Sequence, residues 1–179
     1  MTRKEIEMQQ DDTNQHSCCS DKACEISVSQ VMAYPGLCPQ SGSKGRRVDG
    51  ATVKAMLSVS LTEVRDTTYF FCKDADCPVV YFSEDGTQTF TKDQVRERVY
   101  QKEPDNDDVF ICYCFRHTPG SIKAELVTGD STVIEVINAG IHAGQCACDI
   151  RNPQGSCCLG NVTAFVKEIG QTVHQETIE

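Results

Sequence analysis

The chain has 179 residues, with 26 acidic against 17 basic side chains for a formal charge of −9, and 39% of it is hydrophobic. That charge repels a phosphate backbone, and no basic stripe with interleaved aromatics offsets it, so nucleic acid is not expected as a partner. No apolar stretch approaches the length of a membrane span and no amphipathic basic helix is evident, so membrane insertion is not expected either.

Residues 1–32 are polar and poor in large apolar groups apart from Ile26, Val28 and Val31. Burial cannot offset the entropy of ordering such a segment, so it reads as a flexible tail. It carries His16, Cys18, Cys19 and Cys24, soft ligands suited to Cu(I), although unstructured thiols of no consequence are an equal reading. No apolar run here is long enough for a secretory signal, so a cytoplasmic location is expected.

Residues 33–103 read as a zinc-ribbon-like domain. The run PGLCPQSGSKGRRV is a turn-rich knuckle, after which Asp49 can cap a short helix with Val53, Met56 and Leu57 on one face. The runs YFFC and VVYF flank KDADCP, a hairpin signal, and a further strand pair is expected at 87–90 and 95–100. The acidic KEPDNDD at 102–108 reads as a solvated connection.

Residues 104–179 read as a helical domain that opens with a strand at 109–112. Thr118 and Pro119 provide an N-cap and first-turn proline for a helix that Gly129 can close. A second helix is expected from Asp130 or Ser131 to Gly144, with Val133, Val136, Ile137 and Ile141 on one side. A third carries Leu159, Val162, Phe165, Val166 and Ile169 and is expected to end at Gly170. These stripes are core, and the fold class is α+β.

Twelve cysteines dominate the chemistry; beyond the three in the tail they are spaced as Cys38-x-x-Ser41, Cys72-x4-Cys77, Cys112-x-Cys114, Cys146-x-Cys148 and the vicinal Cys157-Cys158. Sequence neighbours rarely meet the separation and torsion of a disulfide, and a chain of this length can build a core without bridges. Metal binding is the better reading, since thiolates select zinc, Cu(I) and iron-sulfur clusters. A [2Fe–2S] cluster needs two thiolates on each iron. Cys112 and Cys114 supply one pair, and the chain returns with Cys146 and then with Cys157 and Cys158 at a helix start. There, free N–H groups and the helix dipole stabilise an anion.

The spacing Cys-x-Cys-x31-Cys with further cysteines at a helix start is similar to the ferredoxin-like cluster domain associated with bacterioferritin. Residues 34–169 resemble much more closely the zinc- and cluster-binding N-terminal domain family of the copper chaperone CopZ. The resemblance is carried by LCPxxGxxG, YFFCxxxxCxVVYF, VYQKEP, ICYCFRHT, IKAEL and CACDIRNPQGSCCLGNV. It implies a zinc-knuckle β-hairpin domain followed by a helical [2Fe–2S] domain. Carried over as cluster ligands are Cys112, Cys114 and Cys146, with Cys157 as the expected fourth. Cys158 is its close rival, because one residue at a helix start changes direction by about 100°. Cys148 is expected to be a buried small hydrophobe, and His117 and His142 are not needed as ligands.

The resemblance likewise implies Zn2+ on Cys38, Cys72 and Cys77, but Ser41 stands where the family has its fourth knuckle ligand. Asp74, Asp76, a water or a tail cysteine are candidates to complete the site; a degraded site with a hairpin held by packing is the alternative. A second departure is that no Met-x-Cys-x-x-Cys copper loop occurs in the chain. The implied function is a non-enzymatic metallochaperone for copper trafficking or Cu(II) reduction, with copper ions, a copper-transport protein or a redox partner as its counterparts and Cu+ as a further ligand. A ferredoxin-like electron-transfer partner of a reductase or metal-storage protein is the alternative, and a purely structural zinc module is a third class. No paired acid/base groups or phosphate loop point to catalysis.

Overall fold

The computed structural model describes residues 36–129 and 131–176, with backbone only from 172 onward. The tail with His16, Cys18, Cys19 and Cys24 lies outside the described residues. Four short strands, β1 (Arg46–Val48), β2 (Tyr69–Phe71), β3 (Val79–Ser83) and β4 (Thr89–Thr91), form an antiparallel sheet in the order β1-β2-β3-β4. The expected hairpin is β2–β3, in which Phe70 pairs with Phe82 and Phe71 with Tyr81. β1 lies within the segment read as knuckle: Arg46, Arg47 and Val48 pair with Phe71, Phe70 and Tyr69. Gly45 leads into it because a Cβ there would meet Phe82 at 2.5 Å and Phe70 at 2.8 Å.

Helix α1 (Gly50–Met56) is capped as expected by the Asp49 carboxylate, which accepts from the Ala51 N–H at 2.7 Å. Val53, Met56 and Leu57 are buried and join Tyr69, Phe71, Tyr81 and Phe90 in one core. The strand expected at 95–100 does not form. Val95 makes only an isolated bridge to Leu57, between 3-10 turns at Lys92–Gln94 and Tyr100–Lys102. Thr91 and Gln94 also close a capping box that ends β4.

The strand expected at 109–112 is likewise absent. The chain folds back at once: the Ile111 and Cys112 N–H groups both donate to the His117 carbonyl, and Arg116 reverses direction at φ 60°. Beyond it lie α2 (Pro119–Val127), α3 (Val133–His142), α4 (Cys148–Arg151) and α5 (Leu159–Glu176). Thr118 and Ser121 form a capping box at α2, and Gly129 and Gly144 take positive φ after α2 and α3, as glycines at helix ends do. α5 runs through Gly170. A glycine ends a helix by adopting positive φ, and Gly170 does not. Ile111, Ile122, Val133, Ile137, Val162 and Phe165 make the core of this helical part.

Part-buried contacts join the sheet region to the helices, and the architecture is α+β. α1 packs on α4, Gln101 Nε2 donates to Gln154 Oε1 at 2.7 Å, and the Tyr113 hydroxyl donates to the Arg98 carbonyl at 2.8 Å.

Candidate metal centres

The knuckle and the hairpin place three cysteines together. Cys38 sits in a tight turn in which its N–H donates to the Ser43 carbonyl at 2.9 Å and its carbonyl accepts from Gly42 at 2.8 Å. Cys72 follows β2 and Cys77 precedes β3, so the hairpin brings both to the knuckle. The three sulfurs lie within 4.8 Å of one another and all three residues are buried; Cys38 and Cys77 are 3.9 Å apart. Among the described residues, no other three cysteine, histidine or acidic side chains converge so closely. Three buried thiols that converge in this way suit a soft or borderline cation.

The Ser41 hydroxyl is 3.6 Å from the Cys72 sulfur and 2.7 Å from the Ser43 hydroxyl. Asp74 and Asp76, both candidate fourth ligands, are not part of the converging group. The Asp74 carboxylate instead accepts the Asp76 N–H at 3.1 Å, closing the turn between the cysteines. Burial works against the Cys72 thiolate, but the Ser41 hydroxyl, the Asp74 N–H, the Lys102 charge and Cys38 outweigh it and hold this thiol below its ordinary value. Burial pushes the Cys77 thiol up. Lys102 is a contributor that the sequence reading missed: only 8% exposed, its ammonium donates to the Asp74 carbonyl at 2.5 Å. A lysine at the head of an acidic run gives no local sign that it will be buried.

The second group is built by the 112–117 reversal, α4 and the start of α5. Cys112 and Cys158, both buried, have sulfurs 3.0 Å apart, and Cys114 and Cys148 have sulfurs 3.5 Å apart. The Ala147 N–H donates to the Cys114 sulfur at 3.3 Å. A hydrogen bond from Cys158 outweighs burial and, with the Phe115 and Cys114 N–H groups, holds the Cys112 thiol down to about 7. Cys158 is pushed up by giving that hydrogen bond and by burial, and Cys148 is pushed up to about 12, chiefly by burial.

Of the cluster ligands expected from sequence, Cys112 and Cys114 thus lie in sulfur pairs. Cys146 is half-buried against the helical core, and Cys157 is exposed at the mouth of α5. Neither has a sulfur contact among the described residues, whereas Cys148 and Cys158 each do. Two thiol pairs, with backbone N–H groups aimed at their sulfurs, fit the two-thiolates-per-iron requirement of a [2Fe–2S] cluster and its negative charge.

The comparisons with known proteins bear on the family and on its zinc-binding domain. A family model described as a zinc-binding domain, that of CopZ, matches residues 35–96. The copper chaperone CopZ of Archaeoglobus fulgidus is 33% identical over 122 residues, covering 68% of this chain and 57% of that protein. The match therefore spans little more than half of that relative's length. The X-ray structure of the Archaeoglobus fulgidus CopZ N-terminal domain is similar at a TM-score of 0.59 and 30% identity, covering 71% of this chain and 95% of that domain. With nearly all of that domain matched in sequence and in fold, the chain belongs to the CopZ N-terminal domain family.

Proposed function

We propose that this chain is a cytoplasmic CopZ-like metallochaperone that carries one zinc ion and one [2Fe–2S] cluster and serves copper trafficking or the reduction of Cu(II) to Cu(I). Cys38, Cys72 and Cys77 would hold the zinc. Cys112 with Cys158 and Cys114 with Cys148 would hold the cluster. The observation that carries the cluster reading is the pair of sulfur contacts at 3.0 and 3.5 Å, which supplies four thiols in two pairs from three chain segments.

When bound, such a cluster supplies one-electron chemistry. The chain's own part is to shield the sulfurs and stabilise their charge: Cys112 and Cys158 are buried, and the N–H groups of Cys114, Phe115 and Ala147 point at sulfur. Its counterparts would be copper ions, a copper-transport protein and a redox partner. The electron-transfer reading without copper predicts the same cluster and differs only in what the reduced protein does.

Metal and sulfide analysis with a visible spectrum, on protein expressed in iron-replete medium, tests the reading. The expected result is about two irons and about one zinc per chain with sulfide-to-iron absorption; a colourless, zinc-only protein would overturn the cluster. Anaerobic addition of Cu(II) to the reduced protein then separates the two functions. Stoichiometric reoxidation with Cu(I) trapped by a chelator supports copper reduction, and a cluster that stays reduced supports electron transfer alone.

A further inference from the structure

We infer that the metal site of Cys38, Cys72 and Cys77 keeps one coordination position open to exchange, filled by a neutral donor from solution: water, or an imidazole-class nitrogen in its place. The inference rests on the zinc reading of this site. A closed structural zinc site uses four protein ligands, whereas a site with three protein ligands keeps its fourth position for water or an incoming molecule. Three buried thiols converge here, and the knuckle position that would supply a fourth is Ser41.

Ser41 is a poor substitute. Its hydroxyl is neutral, and it already accepts the Ser43 N–H at 3.3 Å and shares a hydrogen bond with the Ser43 hydroxyl at 2.7 Å. The two neighbouring carboxylates do not replace it, because Asp74 is engaged by the Asp76 N–H and neither oxygen set joins the sulfurs. A cavity of about 250 Å3, lined by Gln40, Ser41, Asp74, Asp76, Cys77 and Pro78, opens beside this corner of the site. At roughly 30 Å3 per water in the liquid, that space admits several waters or one imidazole ring.

Charge selects the class of ligand. Three thiolates on a divalent ion leave a net negative charge, and Asp74 and Asp76 at the cavity add to it, against the single charge of Lys102 at the Asp74 carbonyl. An anionic donor therefore meets repulsion that a neutral one does not. Among neutral donors, imidazole suits zinc best.

The test uses the untagged full-length chain with its cluster loaded, followed at the zinc absorption edge, which iron does not obscure. Without added ligand the first shell should hold three sulfurs and one oxygen or nitrogen. Imidazole should replace that light atom saturably, adding the outer-shell scattering of its ring, while azide should not enter. Ser41→Cys should give four sulfurs and abolish the imidazole response, and Ser41→Ala should keep it.

Four sulfurs in the unaltered chain, no response to imidazole, or a response unchanged in Ser41→Cys would each overturn the inference. So would a response that appears only after Cys18, Cys19 and Cys24 are changed to serine, because the tail would then own the position. If zinc content is the same in the unaltered chain and in Cys72→Ser, the zinc reading itself fails. That result is distinct from the others, all of which have zinc at the site.

Discussion

The Tyr81 hydroxyl, on the central strand β3, donates to the Pro153 carbonyl at 2.6 Å in a buried contact between residues 72 positions apart. It ties the sheet that carries the three-cysteine group to the Asn152–Gly155 turn that leads into Cys157, Cys158 and α5. Desolvation drives the Tyr81 phenol well above its usual value, which favours keeping the proton that makes this bond.

Tyr81→Phe keeps the ring but leaves the Pro153 carbonyl buried and unpaired. A loss of about 1–3 kcal/mol is expected, read as a lower denaturant midpoint at unchanged slope. An unchanged midpoint would mean that the turn is held without this bond.

Glycine-to-alanine changes should have opposite signs at two helical positions. Gly140 in α3 faces Phe115, and a Cβ there would lie 2.2 Å from the ring. Gly140→Ala should therefore destabilise by about 1–3 kcal/mol through overpacking, and displace the residue whose N–H bonds Cys112, lowering iron content. Gly170 has open space around it within α5, so Gly170→Ala should gain about 0.5–1 kcal/mol from helix propensity alone.

The sulfur pairing makes single-cysteine variants decisive. Alanine at Cys112, Cys114, Cys148 or Cys158 should bleach the protein and release iron, whereas alanine at exposed Cys157 or at Cys146 should leave colour and iron content largely intact. A colourless Cys157→Ala together with a coloured Cys158→Ala would return the fourth position to the residue expected from sequence.

Lys102→Met keeps the buried aliphatic stem but removes the ammonium that bonds the Asp74 carbonyl and lies near Cys72. Zinc affinity, measured by chelator competition, should fall about 10–100-fold, as for other groups that orient or stabilise ligands. Stability of the zinc-loaded form should then need about 10–100-fold more free zinc to reach the same value.

Local signals were sufficient wherever one stretch of chain decides its own conformation. Asp49 caps α1, Thr118 and Pro119 open α2, Gly129 and Gly144 end helices at positive φ, and the runs around KDADCP make a hairpin. The three cysteines that the family resemblance implied as zinc ligands, Cys38, Cys72 and Cys77, also converge. Where a segment needed a neighbour, the reading failed. β1 pairs with β2 where Gly45 leaves room for Phe70 and Phe82, and 109–112 folds back onto the His117 carbonyl in place of pairing as a strand.

The sequence by itself determined the family resemblance, the α+β class, the helix caps and the set of cysteines from which metal ligands can come. Only the tertiary structure decided which sulfurs meet: Cys158 turns into the core beside Cys112 while Cys157 faces out, and Cys148 rather than Cys146 reaches Cys114. The physical reason is directional. Near a helix terminus, adjacent residues point about 100° apart, and which of two neighbours faces inward is set by how α4 and α5 dock against the 112–117 reversal. Spacing along the chain does not encode that docking.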